Sequence, residues 1–182
     1  PTRRSSDLKE HPNWKEEYPL IITTGARNWA SFHSEHRQSK MLREIKPYPV
    51  VAMHPDLAAE IGVAEGEWVC LENPWGKCYE KAKITPIVKK NVVMADHGWW
   101  YPEEDMNEPN IGGVWKSNIN TLIPNNVVGH YGFGAPMKCM RGRIVKADHV
   151  PLVEHAPQDL PDVQDFPGSI KNDPALQNLL AE

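Results

Sequence analysis

Two stretches of the 182-residue sequence concentrate side chains able to bind or react. Residues 26–47 carry Arg27, His33, His36, Arg37, Lys40 and Arg43, interleaved with Trp29 and Phe32. Cationic and polar donors in that mixture suit phosphates or a polar ring system. Residues 98–138 carry Trp99, Trp100, Tyr101 and Trp115 among Gly, Pro and Asn. Flat apolar side chains beside amide groups suit a large heteroaromatic ligand. The competing reading is that these tryptophans pack the segment onto the rest of the fold. Long irregular segments in a compact domain are usually functional or unstructured, and these are too aromatic for the second case.

Other chemistries fit less well. His33-Ser34-Glu35-His36 would place two histidines on one helix face with Glu35 as a base, but a third ligand at a matching spacing is missing, which argues against a zinc centre. Ser34 beside His33 lacks both the elbow geometry of an activated nucleophile and an orienting acid. Cys70, Cys78 and Cys139 are an odd count without a CxxC pair. That argues against an iron–sulfur cluster, a zinc knot and a disulfide framework. All three are expected to be small buried hydrophobes.

The charge balance narrows the partners. Twenty Lys and Arg against 24 Asp and Glu give a net charge of −4. A nucleic-acid binder needs a basic excess, so none is expected. No apolar run approaches the roughly 18–20 residues that span a bilayer. The opening PTRRSSDLKE has charges without a following apolar stretch, so it is not expected to be a signal peptide. Residues 148–182 hold seven acids and a single base, Lys171, together with five prolines. Such a stretch buries too little apolar surface to fold alone. The expected division is a flexible N-terminal segment or linker over 1–17, an organised domain over 18–147, and an acidic Pro-rich tail over 148–182.

The elements that must position the reactive stretches are short and β-like. Leu20-Ile21-Ile22-Thr23-Thr24 is β-branched and stops at Gly25, a buried strand. Pro49-Val50-Val51-Ala52-Met53 is a second. Pro55 then opens a helix with Leu57, Ala58 and Ile61 on one face, ended by Gly62. Residues 67–72 form a third strand and Asn73-Pro74-Trp75-Gly76 a hairpin turn. Residues 77–88 return as a fourth strand, with Cys78, Ala82 and Ile84 inward and Tyr79, Lys81 and Lys83 outward. Residues 92–97 and 140–146 are the fifth and sixth. Six short strands, one or two small helices and two long loops suggest a compact β-barrel.

The residues also carry a resemblance. Thr24-Gly25-Ala26-Arg27 at the end of the first strand, followed by Phe32-His33-Ser34 and Arg37, resembles the opening of the C-terminal cofactor domain of molybdopterin oxidoreductases of the dimethyl sulfoxide reductase family. Further matches follow in order. His54-Pro55, Ala58-Ala59 and Ile61-Gly62-Val63 resemble that family's helix. Glu65-Gly66-Glu67-Trp68-Val69 resembles its Asp-Gly-Asp-x-Val turn, and Asn73-Pro74-Trp75-Gly76 its hairpin. Residues 93–100 resemble its fifth-strand exit and residues 118–122 its Asn-x-Leu-Thr element, and Lys138 precedes the last strand. The ordered set covers residues 18–146. No one element is specific by itself.

The resemblance implies a mainly β fold, a six-stranded double-psi β-barrel of the aspartate decarboxylase-like kind. It implies a cofactor-binding domain of a larger molybdenum or tungsten oxidoreductase, covering bis(molybdopterin guanine dinucleotide) and inactive alone. Other domains of the same enzyme would hold the metal, and an iron–sulfur electron-transfer subunit is a further expected partner. The compartment, prokaryotic cytoplasm or periplasm, would follow from a signal outside these residues. The implied cofactor-binding residues are Thr24, Gly25, Ala26, Arg27, Phe32, His33, Ser34, His97, Trp99, Trp100, Asn120 and Lys138. His97, Trp99 and Trp100 either face the substrate funnel or pack beneath the long loop. The His97-Gly98-Trp99-Trp100-Tyr101-Pro102-Glu103 run looks more like the thiosulfate/polysulfide reductase and acetylene hydratase side of the family than the nitrate reductase side. Two departures stand out: Ala26 lengthens the Gly25-to-Arg27 turn by one residue, and Ile123 stands where the family often has Thr. The rival reading is a double-psi barrel without a pterin, acting as a protein- or substrate-binding module. A self-processing decarboxylase of that fold needs a Gly-Ser pair inside the barrel, whereas Gly168-Ser169 lies in the acidic tail.

Overall fold

The structure, a computed structural model, describes residues 11–25, 29–124 and 138–148. Six strands close into a barrel in the order β1 (Leu20–Thr24), β5 (Val92–Ala95), β2 (Val50–Met53), β4 (Gly76–Ile84), β3 (Trp68–Asn73) and β6 (Met140–Lys146). This is the mainly β, six-stranded barrel expected from the sequence. Two pairs run parallel although their strands are not consecutive: β1 with β5, pairing Thr24 with Ala95, and β2 with β4, pairing Val51 with Ala82. Antiparallel ladders join β1 to β6, β2 to β5, β3 to β4 and β3 to β6. A parallel pair demands a crossover, and the β1-to-β5 crossover includes the first long segment, whereas the second links β5 to β6, which are not neighbours in the barrel.

β-branched and aliphatic residues fill the interior. Ile22, Val51, Met53, Val69, Leu71, Cys78 and Val93 are all buried there. The helix after β2 is α3 (Pro55–Ile61), capped by His54, whose Nδ1 accepts from the Asp56 N–H at 3.2 Å. The β3–β4 hairpin turns on Asn73, whose Oδ1 accepts from the Trp75 and Gly76 N–H groups.

Several details depart from the sequence expectation. β4 ends at Ile84, short of residue 88. Its inward face includes Glu80, fully buried between Cys78 and Ala82. Cys70 and Cys78 are buried as expected, but Cys139 is exposed because it sits in the turn before β6 rather than in a strand. A short helix, α1 (Trp14–Glu17), precedes β1 and sets Trp14 edge-on to Trp75. The first long segment contains α2 (Lys40–Ile45). The second contains α4 (Val114–Ser117) and a 3-10 turn (Ile119–Leu122) whose Ile119 and Leu122 are core residues. Among the described residues, no helix is long and apolar enough to cross a membrane.

Candidate functional site

The two long segments meet at one end of the barrel around a cavity of about 650 Å³. Thr24 and Gly25 enter it from the end of β1, His33 and Ser34 from the first segment, and His97 and Gly98 from the exit of β5. Val114, Asn118 and Asn120 come from the second segment, and Lys138 from the approach to β6.

Backbone geometry fixes each wall. Asn118 Oδ1 accepts from the Asn120 N–H at 3.1 Å and so caps the 3-10 turn. Thr121 Oγ1 donates to the Lys77 carbonyl at 2.8 Å, and Asn73 Nδ2 to the Leu122 carbonyl at 2.7 Å. The turn bearing Asn120 is thus bolted to the β3–β4 hairpin. A side chain on Gly76 would put its Cβ 2.6 Å from the Thr121 carbonyl oxygen, so only glycine permits this approach. Gly98 has φ 64°, and a Cβ there would lie 2.9 Å from the His33 carbonyl oxygen. The first segment and the β5 exit are therefore in backbone contact.

Lys138 spans the opening of β1. Its Nζ donates to the Thr24 carbonyl at 2.7 Å and reaches the Gly25 carbonyl at 3.4 Å. It is the one permanently charged group among the described residues lining the cavity. The His33 and His97 rings are 5.4 Å apart, edge to face. Burial lowers the pKa of His97, with a further contribution from His33, while Asp96 acts in the opposite direction. His97 is therefore mostly neutral near pH 7 and can both donate and accept a hydrogen bond.

Behind this wall, Trp99 is fully buried between two arginines. The Arg37 guanidinium lies 4.4 Å from its ring centroid and that of Arg43 5.6 Å. Arg43 donates to Glu103 through its two terminal guanidinium nitrogens, at 2.7 and 3.2 Å. Arg37 instead donates to the carbonyls of His33, Glu35 and His97. Burial lowers its pKa to about 10, which leaves it charged at neutral pH.

Of the twelve residues singled out from the sequence, seven line the cavity together: Thr24, Gly25, His33, Ser34, His97, Asn120 and Lys138. Ala26 and Arg27 lie outside the described residues. Phe32 stands beside the cavity, edge-on to His33 and partly exposed. Trp99 takes the packing role and does not reach the cavity. Trp100 sits at the rim, its Nε1–H donating to the Ser34 carbonyl. Ile123 packs against the core, as an aliphatic side chain can and a threonine hydroxyl could not do without cost. The helix face that a zinc reading requires does not form, since His33 and His36 have φ of 51° and 72°. Asn118, Gly98 and Val114 were not singled out individually. For Asn118 the Asn118-x-Asn120 spacing was the available signal, because an Asx-type cap organises such a turn.

The donor set suits a polar heteroaromatic ligand carrying phosphates. Hydroxyls, amides, imidazoles and one ammonium surround a cavity large enough for a fused ring system. Comparison with known families bears on the kind of ligand. The family model described as molydopterin dinucleotide binding domain matches residues 20–136. This chain belongs to that family. Its members bind a molybdopterin cofactor, and the match favours the pterin reading over a barrel without one. Among curated relatives, the dopamine dehydroxylase of Eggerthella lenta is 33% identical over 98% of this chain and 19% of its own length. The dimethyl sulfoxide/trimethylamine N-oxide reductase of Rhodobacter capsulatus is 32% identical over 57% of this chain and 14% of its own. Among solved structures, the acetylene hydratase from Pelobacter acetylenicus superposes with a TM-score of 0.71 at 24% identity, covering 77% of this chain and 20% of that one. The likeness establishes the shared fold. The chain spans a fifth or less of the length of these relatives.

Proposed function

We propose that this chain is the domain of a larger molybdenum or tungsten oxidoreductase that covers bis(molybdopterin guanine dinucleotide) and holds it in register, with no catalysis of its own. The observation that carries the reading is the convergence of Thr24, Gly25, His33, Ser34, His97, Asn120 and Lys138, from five separated parts of the chain, on one cavity. When bound, the cofactor supplies the redox chemistry of its metal, and the protein supplies orientation and electrostatics.

Each residue has a role that its chemistry allows. The Thr24–Gly25 turn, steadied by Lys138, offers backbone groups close to a ligand. Lys138 adds the positive charge that a phosphate requires. Asn118 and Asn120 stand on a turn anchored to the hairpin, placing an amide against the edge of a pterin. Neutral His97 beside His33 can match ring nitrogens and carbonyls without imposing a fixed charge. Ala26 and Arg27, next in sequence to this turn, are assigned to the same site. The remaining domains of the enzyme would hold the metal and shape the substrate funnel, and an iron–sulfur subunit would pass electrons.

An amide chemical-shift titration of the chain with GDP, a stand-in for the dinucleotide end, tests the reading. Shifts are expected at Thr24, Gly25, His33, Ser34, Asn120 and Lys138, weakening with salt as screening grows. Lys138→Ala should weaken the binding and lower cofactor occupancy of the full-length enzyme while the barrel stays folded. Shifts confined to another face, or unchanged occupancy, would overturn it.

A further inference from the structure

We infer that Arg37 is the positioning residue of this cavity, a clamp that locks the first long segment onto the exit of β5 and thereby sets where His33, Ser34 and His97 stand. The inference rests on the reading of the cavity as the cofactor site. It concerns a residue that does not line the cavity at all.

A guanidinium removed from water needs compensation, usually a carboxylate. Arg43, on the same buried tryptophan, has one in Glu103. Arg37 is equally buried, at 2% exposure, yet its hydrogen bonds go to backbone carbonyls: His33 at 2.9 Å, Glu35 at 3.2 Å and His97 at 3.3 Å. Those carbonyls belong to the two chain segments whose side chains form one wall of the cavity. A planar fork with fixed donor directions can hold two segments at one spacing, which a lysine cannot do.

The second observation is backbone conformation. His33 and His36 occupy the left-handed region, which costs non-glycine residues energy and persists only where the surroundings enforce it. Gly98 answers on the other segment with φ 64° and leaves the His33 carbonyl no room for a side chain. Arg37 bonds the carbonyls of His33 and His97 at that contact, and Trp99 stacks on the guanidinium from beneath. Trp100 Nε1–H on the Ser34 carbonyl is the other directional tie between the two segments, and among the described hydrogen bonds only the Arg37 fork joins the carbonyls of His33 and His97.

The test uses the full chain with Arg37→Ala, Arg37→Lys and, as a comparison, Arg43→Lys. Amide hydrogen exchange is measured by residue, together with the ring signals of His33 and His97. In Arg37→Ala, exchange should rise at least tenfold for residues 32–37 and 97–98 and stay unchanged in the six strands. The His33 and His97 ring signals should shift. Added guanidinium at millimolar concentration should restore both readouts, and urea at the same concentration should not. Arg37→Lys, which keeps the charge and a smaller part of the bonding, guards against a variant that does not fold and should fall between. Arg43→Lys should lower the melting temperature without moving the histidine signals. A uniform rise in exchange across the barrel, an unchanged pattern, or a lack of guanidinium rescue would overturn the clamp. GDP titration of the parent chain separates the two ideas. Binding that weakens severalfold in Arg37→Ala supports positioning of the site. A clamp intact by exchange in a parent chain that binds no GDP would refute the cofactor reading, and the role in positioning with it.

Discussion

Gly76→Ala should damage a cavity that Gly76 does not touch. The new Cβ would lie 2.6 Å from the Thr121 carbonyl oxygen and 3.3 Å from its carbon. Ordinary van der Waals contact lies at about 3.5–4.0 Å, roughly 1 Å further out. The 3-10 turn has little freedom to retreat, because Ile119 and Leu122 are fully buried in the core on either side of Thr121. The hairpin cannot move freely either, since Asn73 bonds both the Gly76 N–H and the Leu122 carbonyl. Overpacking of this kind costs typically 1–3 kcal/mol. Gly76 is not in the left-handed region, so alanine's reduced freedom in the unfolded chain offsets about 0.4–1 kcal/mol. The clash wins, leaving a net loss of about 1–2 kcal/mol. At about 2–4 °C per kcal/mol for a chain of this size, the melting temperature should fall by roughly 2–8 °C. Differential scanning calorimetry reads this directly. Amide signals of Asn118 and Asn120 should move more than those of β1, because the displaced element is theirs. An unchanged or higher melting temperature would refute the rigid coupling of hairpin and turn.

Two further expectations concern buried charge. Burial first, and the charge of Asp96 second, hold the Glu80 carboxyl well above its ordinary value of 4.5. Above that value the unfolded chain loses a proton that the folded chain keeps, so stability falls as pH rises toward the folded value, by up to about 1.4 kcal/mol per pH unit. Glu80→Gln removes this slope, so its stability relative to the parent, measured by urea unfolding, should improve from about pH 5 to about pH 8, and parallel pH profiles would contradict it. Glu103→Gln leaves the Arg43 guanidinium buried without its carboxylate and should cost about 3–5 kcal/mol, with a change in the near-ultraviolet circular dichroism of Trp99. A loss under 1 kcal/mol would show that water or another group reaches Arg43.

The barrel strands were legible because their residues obey local rules. Leu20–Thr24 and Val50–Met53 are β-branched runs between turn residues, and Asn73–Gly76 is a turn by composition. The inverted or long-range features escaped. α2 buries Arg43 and exposes Met41 at 68%, the reverse of an amphipathic helix, so periodicity conceals it. Glu80 sits in an inward register position that hydrophobicity assigns to the solvent. The 3-10 turn is a core element only because the hairpin reaches it across some forty residues of chain. In the site, the ordered motifs picked out Thr24, His33, Asn120 and Lys138, but motif order cannot distinguish a tryptophan that faces a ligand from one that supports an arginine. Trp99 is the second kind.

The ammonium of Lys138 on the carbonyl of Thr24 joins residues 114 apart in the chain, and β6 is the strand that closes the barrel between β1 and β3. That has a consequence in time. A chain emerging from the ribosome has made every other described wall of the cavity before β6 and Lys138 leave the exit tunnel, yet it has no closed barrel to mount them on. Such non-local closure is slow compared with hairpin formation. The cavity walls can therefore be mounted on a closed barrel only once β6 has emerged, and the interval before that is when the open sheet edges of β1 and β3 most need protection from other chains.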